Sequence, residues 1–236
     1  MTVRHLAVVG TGTGVGKTHV TCALLETWAE LGVEAIGMKP IETGVVAEAP
    51  EPTDQEQLWR ASQMFHVKRG TAPTFHVKRS LYAWPDPISP HLAARRAGTE
   101  IDLVSIRRWV HSHTAPVVII ETAGGLFSPL APNLTNLDLV RVLEPDAVLL
   151  VAPDRLGVLH DLTATVGLAS SRGLPITAVA LSVPEHPDAS TGHNAPELSL
   201  LRIAEPIAVF ARASISSRES RNAAAAVIRW LDQRAS

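Results

Sequence analysis

The sequence predicts a three-layer α/β fold, a mostly parallel central sheet flanked by helices, in one domain spanning residues 1–236. Three observations carry that expectation. Near-continuous apolar runs recur along the chain, as in strands buried on both faces. Helix-like stretches alternate with them, the order of elements in a parallel sheet with crossover helices. The first apolar run ends in a loop of glycines and threonines, and a lysine and a threonine then open a helix.

The elements follow in order. Leu6–Val9 is the first strand, and Thr18–Leu31 is a helix closed by Gly32. "EAIGMK" is the second strand, and "PTDQEQL" places Asp54 at a helix N-terminus. Pro116–Glu121, Asp146–Ala152, Pro175–Ser182 and Pro206–Ala211 are further strands. Asp102–His111, Asn136–Leu143, Leu159–Ser170 and Ser217–Leu231 read as helices, and Trp109 and Trp230 fit packed helix faces. With 46% hydrophobic residues in 236, one substantial core is within reach. The net charge of −2 gives no argument for nucleic acid or an anionic membrane as a partner. A single cysteine, Cys22, excludes an intramolecular disulfide framework and reads as a small packed residue. The glycine loop begins by Gly10, too early for a signal peptide, and no apolar run reaches membrane-spanning length. The expectation is a cytoplasmic protein that binds neither membrane nor nucleic acid.

In open parallel sheets ligands lie beyond the carboxyl ends of the strands. The chemistry-bearing residues sit there. "GTGTGVGKT" (Gly10–Thr18) is a phosphate-binding loop: Gly12, Thr13, Gly14, Val15 and Gly16 bring backbone N–H groups together, and a helix N-terminus adds partial positive charge. Lys17 is placed for the terminal phosphates and Thr18 for Mg²⁺. The common pattern G-x-x-x-x-G-K-[ST] wants glycine at position 11, where this chain has Thr11. Lys39 and Thr43 follow the second strand in "KPIETG". Glu121 ends a buried apolar strand before Gly124 and Gly125, where a carboxylate can hold Mg²⁺ opposite the loop threonine. Taken alone, Asp54 reads as a helix cap.

Together these motifs resemble dethiobiotin synthetase, the ATP-dependent carboxylase family that closes the ureido ring late in biotin synthesis. The resemblance spans most of the chain and rests on "GTGTGVGKT", "KPIETG", "PISPHLAARRAG", "ETAGG" and "LGVLHDLT" in family order. The six-residue offset from Gly10 to Gly16 is also how that family writes its loop. It implies a P-loop NTPase-like fold, ATP as co-substrate, Mg²⁺, 7,8-diaminononanoate with CO₂ or bicarbonate as substrates, and a homodimer. Residue by residue it implies Lys17, Lys39, Thr13 and Thr43 in catalysis, with Thr18, Asp54 and Glu121 around the metal. Lys39, Thr43, Ser89, Gly124 and Gly125 would contact substrate.

The chain departs from the family at Gly14, where many members carry glutamate. It departs again at Leu181 and Ser182, where many place an adenine-reading asparagine, and at His160-Asp161 in place of Asn-His. These leave the phosphate chemistry intact and relax the expectation of strict ATP selectivity, with another triphosphate such as CTP as competitor. The loop Ser182–Pro196 is expected to form part of the base pocket. The alternative reading is a nucleotide-binding regulatory or partition-type ATPase without ligase activity. Partition ATPases carry a second lysine early in the loop, where this chain has Gly12.

One feature stands apart. "FHVKR" occurs at Phe65–Arg69 and again at Phe75–Arg79. His66 and His76 lack the companions of a metal site. The segment 64–80 reads as an irregular, solvated insertion. In the gene, Phe-His-Val-Lys can be written TTT CAC GTG AAA, which is its own reverse complement.

Overall fold

A computed structural model of the chain describes residues 5–46 and 50–234. The first half runs β1 (His5–Gly10), α1 (Lys17–Leu31), β2 (Ala35–Met38), β3 (Ile41–Thr43), α2 (Asp54–Ser62), α3 (Met64–Arg69), β4 (Tyr82–Trp84), α4 (Pro90–Arg96) and α5 (Leu103–His111). The second runs β5 (Val117–Glu121), β6 (Pro129–Ala131), β7 (Leu134–Thr135), α6 (Asn136–Leu143), β8 (Ala147–Pro153), α7 (Val158–Ser171), β9 (Ala178–Ser182), α8 (Asn194–Leu200), β10 (Pro206–Phe210) and α9 (Arg218–Arg234).

Six strands form one parallel sheet in the order β10-β9-β8-β1-β5-β2. Alternate residues of each strand feed opposite faces, the period-two rule of pleated backbone. Leu6, Val8, Val117, Ile119, Leu149 and Val151 pack with Val20, Leu24 and Trp28 of α1 and with Val227 and Ile228 of α9. Ala7, Val9, Val148, Leu150 and Ala152 meet Leu137, Val140, Val158 and Leu162 on the other face. Ile36, Met38, Val118 and Ile120 continue that face toward Ile106 and Val110 of α5. Both faces are covered, which is why the strands read as unbroken apolar runs.

The register decides what meets at the carboxyl end. Val8 of β1 lies opposite Glu121, and Met38 of β2 lies opposite Ile120, so Lys39 leaves its strand beside Glu121. The expected segment 64–80 is neither irregular throughout nor wholly solvated. Its first part is α3, and His66 and Phe75 are buried. Short β3 and β4 pair in parallel as a separate two-stranded sheet, a pairing of three-residue strands with no legible pattern of their own. Among the described residues no helix is long and apolar enough to cross a membrane.

Candidate functional site

The loop between β1 and α1 closes over the end of the central strand. Gly16 adopts φ +93°, and a Cβ there would lie 2.3 Å from Ser182 Oγ at the end of β9. Glycine is therefore required twice, for the left-handed backbone and for the close approach. Gly125 packs against the loop from the other side, where a Cβ would meet Thr11 O at 3.0 Å. Its neighbour Gly124 takes φ +73°. Asn136, wholly buried at the start of α6, clasps this turn by donating from Nδ2 to the carbonyls of Ala123 (2.6 Å) and Gly125 (2.8 Å).

Lys17 is buried and donates to Gly12 O at 3.1 Å. Burial lowers its pKa from 10.5 to about 8, against the pull of Glu121. Thr18 Oγ1 donates to Glu121 Oε1 (2.9 Å), and Thr21 Oγ1 donates to Glu121 Oε2 (3.1 Å). Lys39 completes the cluster, donating to Glu121 Oε1 at 2.9 Å and to Asp54 Oδ2. Burial by itself disfavours the Lys39 charge, but the two carboxylates reverse that and hold the ammonium above the ordinary lysine range. Burial likewise works against the Asp54 charge, yet Lys39 pulls its carboxyl below the usual aspartate value. The Lys39 and Asp54 charges withstand their burial because each has an opposite charge at hydrogen-bond distance.

Asp54 is not the cap of α2. Thr53 is, accepting from the Glu56 amide at 3.2 Å, which leaves the Asp54 carboxylate free to reach Lys39. The loop, Lys17, Thr18, Lys39, Asp54 and Glu121 are thus brought together as the sequence anticipates. A second cavity of about 320 Å³ adjoins them, lined by Thr13, Lys39, Thr43, Asp54, Ser89 and Gly124 among others. Ser89 precedes α4 and lies 2.8 Å from His91 Nδ1.

Three residues to which the motifs assign no role hold this arrangement. Glu42, buried between Lys39 and Thr43, accepts from the Asp54 amide at 2.6 Å, and burial pushes its carboxyl up. Gln55 is wholly buried and accepts from the Lys39 amide at 2.6 Å. Thr21, one helical turn beyond Lys17, was legible in principle as the next residue on the phosphate-facing side of α1.

On the opposite side of the loop lies a cavity of about 600 Å³, lined by Gly14, Gly16, His19, Ser182, Glu185 and Arg212 among others. Leu181 does not face it: that side chain is wholly buried in the core with Val179 and Leu198. Alternation along β9 leaves Ser182 as the residue that lines the cavity, beside Gly16. Of the expected loop Ser182–Pro196, the first four residues line it. The next part is folded onto Asp154, whose carboxylate accepts from Gly192 N (2.8 Å) and Asn194 Nδ2 (2.7 Å). Asp161 pairs loosely with Arg155 at 3.5 Å. Cys22 is buried and its thiol is pushed up by that burial and by Glu121, so it stays protonated and inert.

A family model described as an AAA domain matches residues 4–232. An ATP-dependent dethiobiotin synthetase BioD of Anaeromyxobacter dehalogenans (strain 2CP-C) is 38% identical over 88% of this chain and 89% of its own length. The chain belongs to the ATP-dependent dethiobiotin synthetase family. The enzyme of that name from Caulobacter vibrioides (strain NA1000 / CB15N) is 37% identical over 76% of this chain and 80% of its own. Among solved structures, the septum site-determining protein MinD complexed with Mg-ADP from Pyrococcus horikoshii OT3 covers 100% of this chain and 98% of its own at TM-score 0.57 and 14% identity. A ParA family ATPase from Chlorobium tepidum TLS covers 98% of both chains at 0.52 and 14%. These share the P-loop NTPase fold. Family membership makes the chain a C–N bond-forming ligase that uses ATP.

Proposed function

We propose that the chain carboxylates 7,8-diaminononanoate with CO₂ at the expense of ATP, giving dethiobiotin, ADP and phosphate. The observation that carries this is the Lys39 ammonium held between Asp54 and Glu121, at the border of the phosphate loop and the second cavity. One amine of the substrate attacks CO₂, loses a proton and becomes a carbamate. A carbamate oxygen attacks the γ-phosphorus, and ADP leaves. The second amine attacks the carbonyl of the mixed anhydride, loses its proton, and phosphate departs with the ring closed.

The residues serve position and charge, which is most of what phosphoryl transfer asks. Lys17 and the backbone of Gly12–Lys17 hold the phosphates. Lys39 holds the anionic carbamate against phosphorus, with Thr13 and Thr43 bonding its oxygens and those of phosphate. Ser89 and Gly124 line the cavity that would take the substrate, while Gly125, expected there too, backs the phosphate loop instead. Thr18, Asp54 and Glu121 are hard oxygen donors suited to Mg²⁺, and two carboxylates plus substrate phosphates is the usual manner of holding that ion. No group of three or more His, Cys, Asp or Glu able to hold a metal occurs among the described residues, so the ion would be shared with the nucleotide. When bound it would neutralise charge on the transferring phosphoryl group. The cavity beside Ser182 takes the base, and the chain acts as a homodimer.

The test is direct. Purified protein with Mg²⁺, bicarbonate, 7,8-diaminononanoate and ATP, CTP or GTP in separate reactions is expected to yield dethiobiotin by mass spectrometry. Absence of product from every triphosphate, with nucleotide still bound, would overturn the reading.

A further inference from the structure

The backbones of Lys39 and Asp54 are each held by a buried side chain, and both of those side chains are held in turn by one surface segment. Gln55 accepts from the Lys39 amide through Oε1 and donates from Nε2 to Val77 O at 3.0 Å and Gly37 O at 3.3 Å. Glu42 accepts from the Asp54 amide through Oε1 and from Ser80 Oγ through Oε2 at 3.1 Å. The segment is itself stitched to α2. Phe75 O accepts from Trp59 Nε1 (3.2 Å) and Gln63 Nε2 (3.1 Å), and Lys78 lies 4.2 Å over the Trp59 ring. Phe75 anchors it in the cluster that contains Met38 and Ile41, the residues bracketing Lys39-Pro40. The hydrogen bonds to Gln55, Trp59, Gln63 and Ser80 are part-buried, and each of these groups would have to find another partner if the segment moved.

We propose that residues 75–80 are a positioning strap for the Lys39–Asp54–Glu121 cluster, which rests on the catalytic role given to that cluster above. The strap touches no reacting atom. It sets where the ammonium and the carboxylate stand, and small displacements in such a site cost rate. Ser80→Ala removes one donor without touching the core. The expected result is a kcat lower by about tenfold with the KM for ATP unchanged. The Asp54 amide should also exchange hydrogen faster, the melting temperature should hold, and Ser80→Thr should restore both rate and exchange. Full kcat, or a loss of kcat that follows melting, would overturn it. If wild type makes no dethiobiotin the functional reading fails, and the exchange rate at Asp54 then decides the strap: unchanged exchange overturns it.

A different observation concerns the repeat itself. The two copies of Phe-His-Val-Lys-Arg differ in conformation and in which of Phe and His is buried. The first is helical, with His66 buried against Glu34 (3.1 Å) and Thr71 (2.9 Å) and Val67 exposed. The second lies in no regular element, with Phe75 buried and His76 exposed. Nothing in the fold asks for the same five residues twice. The genetic code does offer a reason: TTT and AAA are reverse complements, as are CAC and GTG. Met64 has one codon, ending in G, Thr74 has one that does, and arginine has codons beginning with C. Both copies can therefore extend to GTTTCACGTGAAAC, which is still self-complementary. Their ten-residue offset corresponds to about thirty base pairs, close to three turns of B-DNA, so both would face the same side of the duplex.

We infer that codons 64–79 carry two copies of a palindromic DNA site for a two-fold symmetric DNA-binding protein, whose symmetry the palindrome mirrors. The peptide repeat is then its translation. The coding sequence should read TTT CAC GTG AAA at both copies, one spelling among many synonymous ones. DNase I footprinting in the cells that carry the gene should show protection over both, lost on synonymous recoding while dethiobiotin formation is unchanged. Another spelling in either copy, or equal cleavage before and after recoding, would overturn the inference.

Discussion

Lys17 and Lys39 lie in the same buried cluster, and their environments push them in opposite directions. Lys17 has no carboxylate at bonding distance in this structure, so burial dominates and its pKa falls to about 8. In the nucleotide-free protein the unfolded lysine keeps its proton up to 10.5 while the folded one releases it near 8. Stability from this group therefore rises with pH across that window, and below it the full burial penalty is present. Triphosphate binding needs the charge. Above pH 8 binding should take up a proton and affinity should fall, which calorimetry in buffers of different ionisation enthalpy will read. Lys17→Ala should abolish nucleotide turnover. Lys39→Ala should retain substantial nucleotide binding and lose ring closure; a variant with full activity would remove the carbamate assignment. It should also lose about 3 kcal/mol of stability, because Glu121 is left buried without its cation. Thermal melting beside product analysis separates the two effects. Gly16→Ala should eliminate nucleotide binding, since the new Cβ has nowhere to go but Ser182.

The element scale explains how much was legible. Every strand of the main sheet shows as an apolar run; from β2 to β9 this is because both faces are covered, while the edge strand β10 is apolar but only half-buried. Helices α1, α5, α6, α7 and α9 show by their spacing and caps. The strap does not, because residues 75–80 form no regular element and their worth lies in carbonyls and one hydroxyl aimed at Gln55 and Glu42. Those two lie inside stretches the sequence does single out, "PTDQEQL" and "KPIETG", yet nothing local marks them as the groups that hold the Lys39 and Asp54 amides. Leu181 was the wrong member of its pair for a ligand site, and the alternation of β9 is what selects Ser182. The repeated pentapeptide is the sharpest case. Phe75→Ala should cost about 3 kcal/mol of stability, as a buried aromatic does. Phe65→Ala should cost less than about 1 kcal/mol, since Phe65 mainly carries the Arg69 guanidinium 4.2 Å above its ring. Denaturant unfolding of the two variants will separate identical sequence from unlike context.

At the scale of the whole molecule, the order β10-β9-β8-β1-β5-β2 places β1 between β5 and β8, so that its loop receives Glu121 from one neighbour and faces Ser182 beyond the other. The proposed homodimer belongs to this scale too, and light scattering should give twice the 25.2 kDa of the chain. A monomeric mass that retains full activity would remove the partner subunit from the reaction. The sequence by itself determined the fold class and the glycine loop, because glycine spacing and apolar runs are local signals. Only the tertiary structure decided who touches whom. It put Lys39 between Asp54 and Glu121, buried His in one copy of the pentapeptide and Phe in the other, and turned Ser182 rather than Leu181 to the cavity. Those outcomes depend on register and packing between segments far apart in the chain, and no short stretch of sequence encodes them.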